Sequence, residues 1–219
     1  MWTSDRHFRI PVDPHDPAAA ARAWRILSTS AFPFVRDITP AHHSVTISLD
    51  PLLADPAPAV DAILAALASS PSHSAEPVLH TIPTCYHASL APDLADVAAL
   101  TSLSTKEVIQ RHTAPTYTVR YIGFSPGFPY LEGLDPALAC PRLASPRPRI
   151  PPCSVAIAAN QAGIYPHATP GGWRLIGRTT ARLFDPARTP PALLAPSDRL
   201  RFVEISLDQY LQASGSSSP

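Results

Sequence analysis

Polar and apolar positions alternate in the period of a strand over Val45-Thr-Ile-Ser-Leu49, and Val35 to Ile38 offers a hairpin partner. Ala57 to Ala68 instead places Val60, Ile63, Leu64 and Leu67 at helical spacing, giving one apolar stripe. A further helix is expected from Ala18 to Leu27, opened by Asp16 as N-cap and Pro17 at the first helical position. Val78 to Ile82 reads as another short strand, whereas Met1 to Pro14 is charged and shows no clear strand pattern. Ser69-Ser-Pro-Ser-His-Ser74 is a polar turn, too short for an interdomain linker. Strands alternating with helices predict a small α/β domain over residues 1–84, with the helices on one face of the sheet.

The texture changes at Cys85. Asp93 to Leu100 and Ser104 to His112 read as two short helices, the second with a capping box in Ser104-Thr-Lys-Glu107. Thr116 to Ile122 alternates as a strand. Beyond Gly123 the apolar runs are short and punctuated by glycine and proline: Val155 to Ala159, Trp173 to Ile176, Ala181 to Phe184, Leu200 to Ile205. That pattern predicts a β-rich domain over residues 85–219 with long ordered loops and a frayed tail after Leu211, disordered from about residue 213.

Composition adds constraints of its own. Seventeen basic and seventeen acidic residues balance to zero net charge, so nothing electrostatic points to nucleic acid or an anionic membrane as partner. The longest apolar runs fall well short of a membrane span, and the N-terminus does not read as a secretory signal. Three widely spaced cysteines, Cys85, Cys140 and Cys153, suit a reducing compartment, and the cytoplasm is expected. Proline is abundant, 28 of 219 residues, against about 5% in ordinary chains. It forbids long helices in the second half.

Two motif-like features lead nowhere. His73, His80 and His87 recur every seven residues, but Pro77 and Pro83 break the helix that would align them, and no metal ligand set is expected. Gly123-Phe-Ser-Pro-Gly127 matches the G-x-S-x-G of serine hydrolases after a strand. The oxyanion hole of that elbow needs the N–H of the residue after the serine, and here it is Pro126, which has none.

The dense stretch is Gly123 to Thr179. It contains Gly-Phe-Ser-Pro-Gly-Phe-Pro-Tyr-Leu (123–131), Pro-Arg-Leu-Ala-Ser-Pro-Arg (141–147), Ile-Tyr-Pro (164–166) and Pro-Gly-Gly-Trp-Arg-Leu-Ile-Gly-Arg-Thr (170–179). Phe128-Pro129 and Tyr165-Pro166 are candidate cis peptides. These blocks, in this order, resemble the family of the 5-oxoprolinase B subunit, also known as the sporulation-kinase inhibitor or allophanate hydrolase subunit 1 family, which forms half of the carboxyltransferase domain of urea amidolyase. Phe34-Val-Arg-Asp-Ile-Thr-Pro40 and Val45 to Pro51 extend the resemblance upstream. Thr169 stands where the family has serine, and Cys153, Ala156 and Ala159 stand where it has glycine.

The resemblance implies an α+β chain: a ferredoxin-like N-terminal domain followed by a cyclophilin-like β-barrel. It further implies A-type and C-type 5-oxoprolinase subunits as partners, ATP as the energy source at the level of the complex, and opening of 5-oxo-L-proline to L-glutamate. Two other readings come with the family: a regulatory module that inhibits a histidine kinase, and half of a biotin-dependent carboxyltransferase. A lactam bearing a carboxylate calls for cationic clamps, and arginine donates paired hydrogen bonds to carboxylate and phosphate alike. Arg142, Arg147 and Arg178 lie in the signature blocks and are the candidates, with loop-pinning as the alternative role of each. Arg147 is assigned to catalysis, as are His112, a possible general base, and Tyr165, a possible hydrogen-bond donor. Arg142 and Arg178 are assigned to substrate or phosphate, together with the close-approach glycines Gly127, Gly171 and Gly172.

Overall fold

The computed structural model describes residues 1–16, 18–52, 55–69 and 77–215. They form two compact units, Met1–Pro77 and Val78–Pro219. In the first, β1 (His7–Pro11), β2 (Val35–Pro40) and β3 (Ser44–Leu49) make an antiparallel sheet in the order β1-β3-β2, with α1 (Ala19–Thr29) and α2 (Ala57–Ser69). The expected hairpin is present, with Ile38 opposite Ile47. Ile47 also faces Phe8. Leu27, Val45, Ile47, Leu49 and Ile63 fill the core between sheet and helices, the burial that alternating strands and a striped helix require. Leu64 lies outside that stripe and is exposed.

Three expectations for this unit are corrected. A strand does form near the N-terminus: β1 lies within the charged segment because only Phe8 and Ile10 need to face the core. Asp16 does not cap α1 directly; its carboxylate accepts from the Ala18 N–H at 2.9 Å and pairs with Arg22, and the helix begins at Ala19. Pro17 and the segment 70–76, which includes His73, lie outside the described residues. The strand expected at Val78 to Ile82 runs over Leu79–Cys85 as β4 and belongs to the second unit, so the division falls at 77/78 and not at 84/85. Along β1, Thr3 donates to the His7 carbonyl and Met1 exchanges two hydrogen bonds of 2.8 Å with Arg9.

The second unit continues with α3 (Leu94–Thr101), α4 (Thr105–Thr113), β5 (Tyr117–Ile122), β6 (Pro129–Glu132), β7 (Arg147–Ile150), β8 (Ser154–Ala158), β9 (Gln161–Tyr165), β10 (Thr169–Gly171), β11 (Arg174–Thr179), β12 (Arg199–Glu204) and α5 (Leu207–Gly215). Seven strands close a barrel in the order β11-β4-β12-β5-β6-β9-β8, and β8 returns to β11. β7 and β10 form a separate two-stranded ribbon. The Ser104–Glu107 capping box forms as expected. Residues 212–215 are helical rather than frayed, and 216–219 lie outside the described residues. Ala181 to Phe184 makes only an isolated bridge, and the cis peptide among the described residues is Thr189–Pro190, not Phe128–Pro129 or Tyr165–Pro166.

Strands β8 and β9 are buried almost throughout, and their period of two sorts them between two cores. Val155, Ile157, Ala162 and Ile164 fill the barrel interior. Ala156, Ala158 and Tyr165 turn the other way, into an aromatic cluster with Phe128 and Trp173. Gly163 faces that cluster, where a Cβ would come within 2.8 Å of the Phe128 ring and 3.0 Å of Trp173. The wall therefore reads as a continuous apolar run with small residues under the rings.

His112 is not a surface base. It lies fully buried among Tyr86, Tyr117 and Phe202, its Nδ1 2.7 Å from the Tyr86 hydroxyl. Burial drives its imidazole from 6.5 down to about 3. Val108 and His112 face the core from α4 because helical spacing of four residues puts them on one side.

Two measurable outcomes come from these placements. Between about pH 6.5 and 3 His112 is neutral in the folded chain and protonated in the unfolded one, so unfolding takes up a proton. Its contribution is fully present above pH 6.5 and is lost as pH falls: chemical denaturation at pH 7 and pH 5 is expected to differ by ~1–2 kcal/mol more in the wild type than in His112→Phe. Ala159, at φ +50, takes the first place of the two-residue turn joining β8 to β9, where a glycine relieves the strain. Ala159→Gly is expected to raise stability by ~0.5–1 kcal/mol, read as a higher melting temperature.

Candidate functional site

A cavity of about 250 Å³ opens over the aromatic cluster of the second unit. Phe128, Tyr130, Tyr165 and Trp173 build its base, and the three rings Phe128, Tyr130 and Trp173 meet edge to face with centroids 5.0–5.8 Å apart, the arrangement aromatic quadrupoles favour. Phe124 stands at its mouth, and Pro146, Pro170, Gly171 and Gly172 complete the rim. Gly171 is required by space: a Cβ there would lie 2.5 Å from the Tyr165 hydroxyl and 2.7 Å from Ile150. Gly172 has no such need, its nearest neighbours being 3.8 Å away.

Arg142 is the charged residue of this lining. It is exposed, with its guanidinium carbon 5.9 Å from the Trp173 ring centroid. A guanidinium on an aromatic face keeps its outer N–H groups free for an anion. The Tyr165 phenol, 2% exposed, is pushed up to about 12, chiefly by burial. It therefore stays protonated at neutral pH and acts as a neutral hydrogen-bonding group. Burial also raises the Tyr130 phenol. The pocket thus combines one fixed positive charge, flat apolar walls and protonated hydroxyls, a combination chemically suited to a small anion with a planar body.

The other candidate residues are not brought here. Arg147 gives both ends of its fork to Asp93, at 2.8 and 2.6 Å. Asp93 is 3% exposed and also accepts from the Leu175 N–H at 2.7 Å. Arg147 is therefore the pin of the β7–β10 ribbon, its Cα opposite Gly171, and not a free catalytic cation. Arg178 donates from Nε to the Pro152 carbonyl at 3.0 Å and lies outside the pocket lining, as do His112 and Gly127. Gly127, at φ +80, packs against Phe184. Of the replaced glycines, Cys153 and Ala159 do occupy left-handed backbone, at φ +62 and +50, while Ala156 does not. The Cys153 thiol is raised by burial, which argues against a reactive thiolate. No grouping of three His, Cys, Asp or Glu that could hold a metal occurs among the described residues.

Sequence reasoning missed Asp93, which it treated only as a helix start, and Phe124, Tyr130 and Gly163. Asp93 is 54 residues from Arg147 in the chain, and no local pattern marks such a pair.

Comparison with known proteins agrees with this architecture. Residues 4–194 match the family described as carboxyltransferase domain, subdomain C and D. The chain is 50% identical over 129 residues to the 5-oxoprolinase B subunit of Bacillus subtilis (strain 168), an alignment covering 59% of this chain and 54% of that protein. It is 41% identical over 190 residues to the 5-oxoprolinase B subunit of Escherichia coli O157:H7, covering 85% of this chain and 86% of that one. The crystal structure of TTHA0988 superposes with a TM-score of 0.78 at 33% identity, over 91% of this chain and 40% of that chain. The fold, the ordered signature blocks and these likenesses agree, and the chain belongs to the carboxyltransferase domain, subdomain C and D, family, with 5-oxoprolinase B subunits among its relatives.

Proposed function

We propose that this chain is the B subunit of an ATP-dependent 5-oxoprolinase, which opens 5-oxo-L-proline to L-glutamate together with A-type and C-type subunits and is inactive alone. The similarity to the E. coli B subunit along 190 residues carries the reading. The pocket supports it: 5-oxoproline is a flat five-membered lactam with one carboxylate, matched by the aromatic walls and by Arg142. Arg142 holds the carboxylate, and the Tyr165 hydroxyl offers a neutral hydrogen bond to the lactam. Water attack on the lactam needs a general base, and the phenols lining this pocket are held protonated. The base is therefore supplied by the partner protein that completes the site.

ATP fits this pocket poorly. A triphosphate carries several negative charges and a nucleoside, against one arginine and about 250 Å³. Phosphorylation chemistry is assigned to another member of the complex. No described helix is long and apolar enough to cross a membrane, and the cytoplasm is the proposed compartment. The relatives' names favour neither the kinase-inhibitor nor the biotin-dependent reading.

The chain mixed with its A-type and C-type counterparts, ATP and 5-oxo-L-proline is expected to release glutamate, and each omission is expected to abolish it. A well-formed complex that yields no glutamate overturns the reading. In the active complex Arg142→Ala is expected to raise KM ~10–100-fold, as loss of a charge-assisted pair implies, with kcat changed far less.

A further inference from the structure

Phe124 breaks two rules of stable folding at once. Its φ is +65, an outlier for a bulky residue. The Ser125 N–H donates to the Gly123 carbonyl at 2.7 Å, closing a three-residue γ-turn with Phe124 at its centre. A γ-turn with positive central φ is rare and strained. Two further bonds hold the loop: Phe128 N–H to Ser125 O at 3.0 Å, and Gly123 N–H to Phe128 O at 3.1 Å. Burial does not compensate for the strain, since the side chain is 60% exposed.

What the turn does accomplish is placement. It sets the Phe124 ring at the cavity mouth, 5.4 Å from Phe128 and 6.1 Å from Tyr165, in edge-to-face contact with both. Strain that the surrounding structure over-determines at a ligand pocket is a mark of pre-organisation. We infer that Phe124 is the specificity-determining clamp of this pocket: its ring covers one side of a flat, cyclic carboxylate whose anionic end is held by Arg142. The choice of 5-oxo-L-proline as ligand rests on the proposed function above; the clamp itself rests on the loop geometry.

Calorimetric titration of the full chain with 5-oxo-L-proline and with N-acetylglycine, an open-chain amide acid, separates the roles. Wild type is expected to prefer the cyclic ligand. Phe124→Gly is expected to weaken it ~10-fold, the scale of one good aromatic contact, and to weaken N-acetylglycine less than ~3-fold. Phe124→Tyr, which keeps the ring, is expected to bind both as wild type does. Arg142→Ala is expected to weaken both alike. Because glycine relieves the γ-turn, Phe124→Gly is expected to melt no lower than wild type. Equal weakening of both ligands, a lowered melting temperature in Phe124→Gly, or no saturable binding by wild type overturns the clamp. Glutamate formation by the reconstituted complex with an unchanged KM in Phe124→Gly overturns the clamp and leaves the proposed function standing, whereas clamp behaviour without glutamate formation does the reverse.

Discussion

A carboxylate withdrawn from water must be fully paired, and Asp93 is paired three ways: twice by the Arg147 fork and once by the Leu175 N–H. Removing one partner of such a buried pair typically costs ~3–5 kcal/mol, because the remaining charge stays uncompensated. The backbone of Asp93 repeats the tie, its N–H donating to the Leu175 carbonyl at 3.0 Å. One residue thereby joins the start of α3, strand β11 and the β7–β10 ribbon. That ribbon carries Gly171 against the Tyr165 hydroxyl and leads directly into Gly172 and Trp173. The Arg147–Asp93 ion pair thus adds to the rim's own contacts, among them the Leu143 N–H donating to the Gly172 carbonyl at 2.8 Å.

The second support is the double-faced wall of β8 and β9. Side chains of one parity fill the barrel, and those of the other carry the aromatic base of the pocket. Any change in barrel packing is thus felt by the site through strands only one residue thick. Rings packed edge to face over small residues leave little room to adjust, since interiors are as dense as organic crystals. Gly163 and Gly171 have room for nothing larger. This rigidity suits a site that selects by shape and a single charge, and it leaves Phe124 at the mouth as the one strained contributor to the lining.

The arginines illustrate how role depends on partner. Arg142, Arg147 and Arg178 are equivalent as residue types and all sit in signature blocks. Arg147 is consumed by Asp93, and Arg178 gives its Nε to a loop carbonyl. Arg142 instead stands over Trp173, exposed and in the lining of the cavity. Position in a motif selects a region; the neighbouring acceptors decide which guanidinium is tied internally.

Local physics was legible in the chain itself: the β2–β3 hairpin, the capping box of α4 and the short strands between prolines. So was part of the candidate site's lining, since Arg142, Tyr165, Gly171 and Gly172 do meet in one cavity. The family resemblance, not local pattern, singled out Cys153, Ala156 and Ala159 as displaced glycines, and only Cys153 and Ala159 lie in left-handed backbone. Tertiary packing decided the rest. β4 reads as the last strand of an α/β unit, but its backbone groups pair in parallel with β12 and antiparallel with β11, more than 90 residues away. His112 looks like a base at a helix end, yet the barrel closes over it and its titration moves out of the physiological range. Pairing partners far apart in the chain and the loss of solvent on burial leave no trace in local periodicity, and those two effects determined which groups remained free to act.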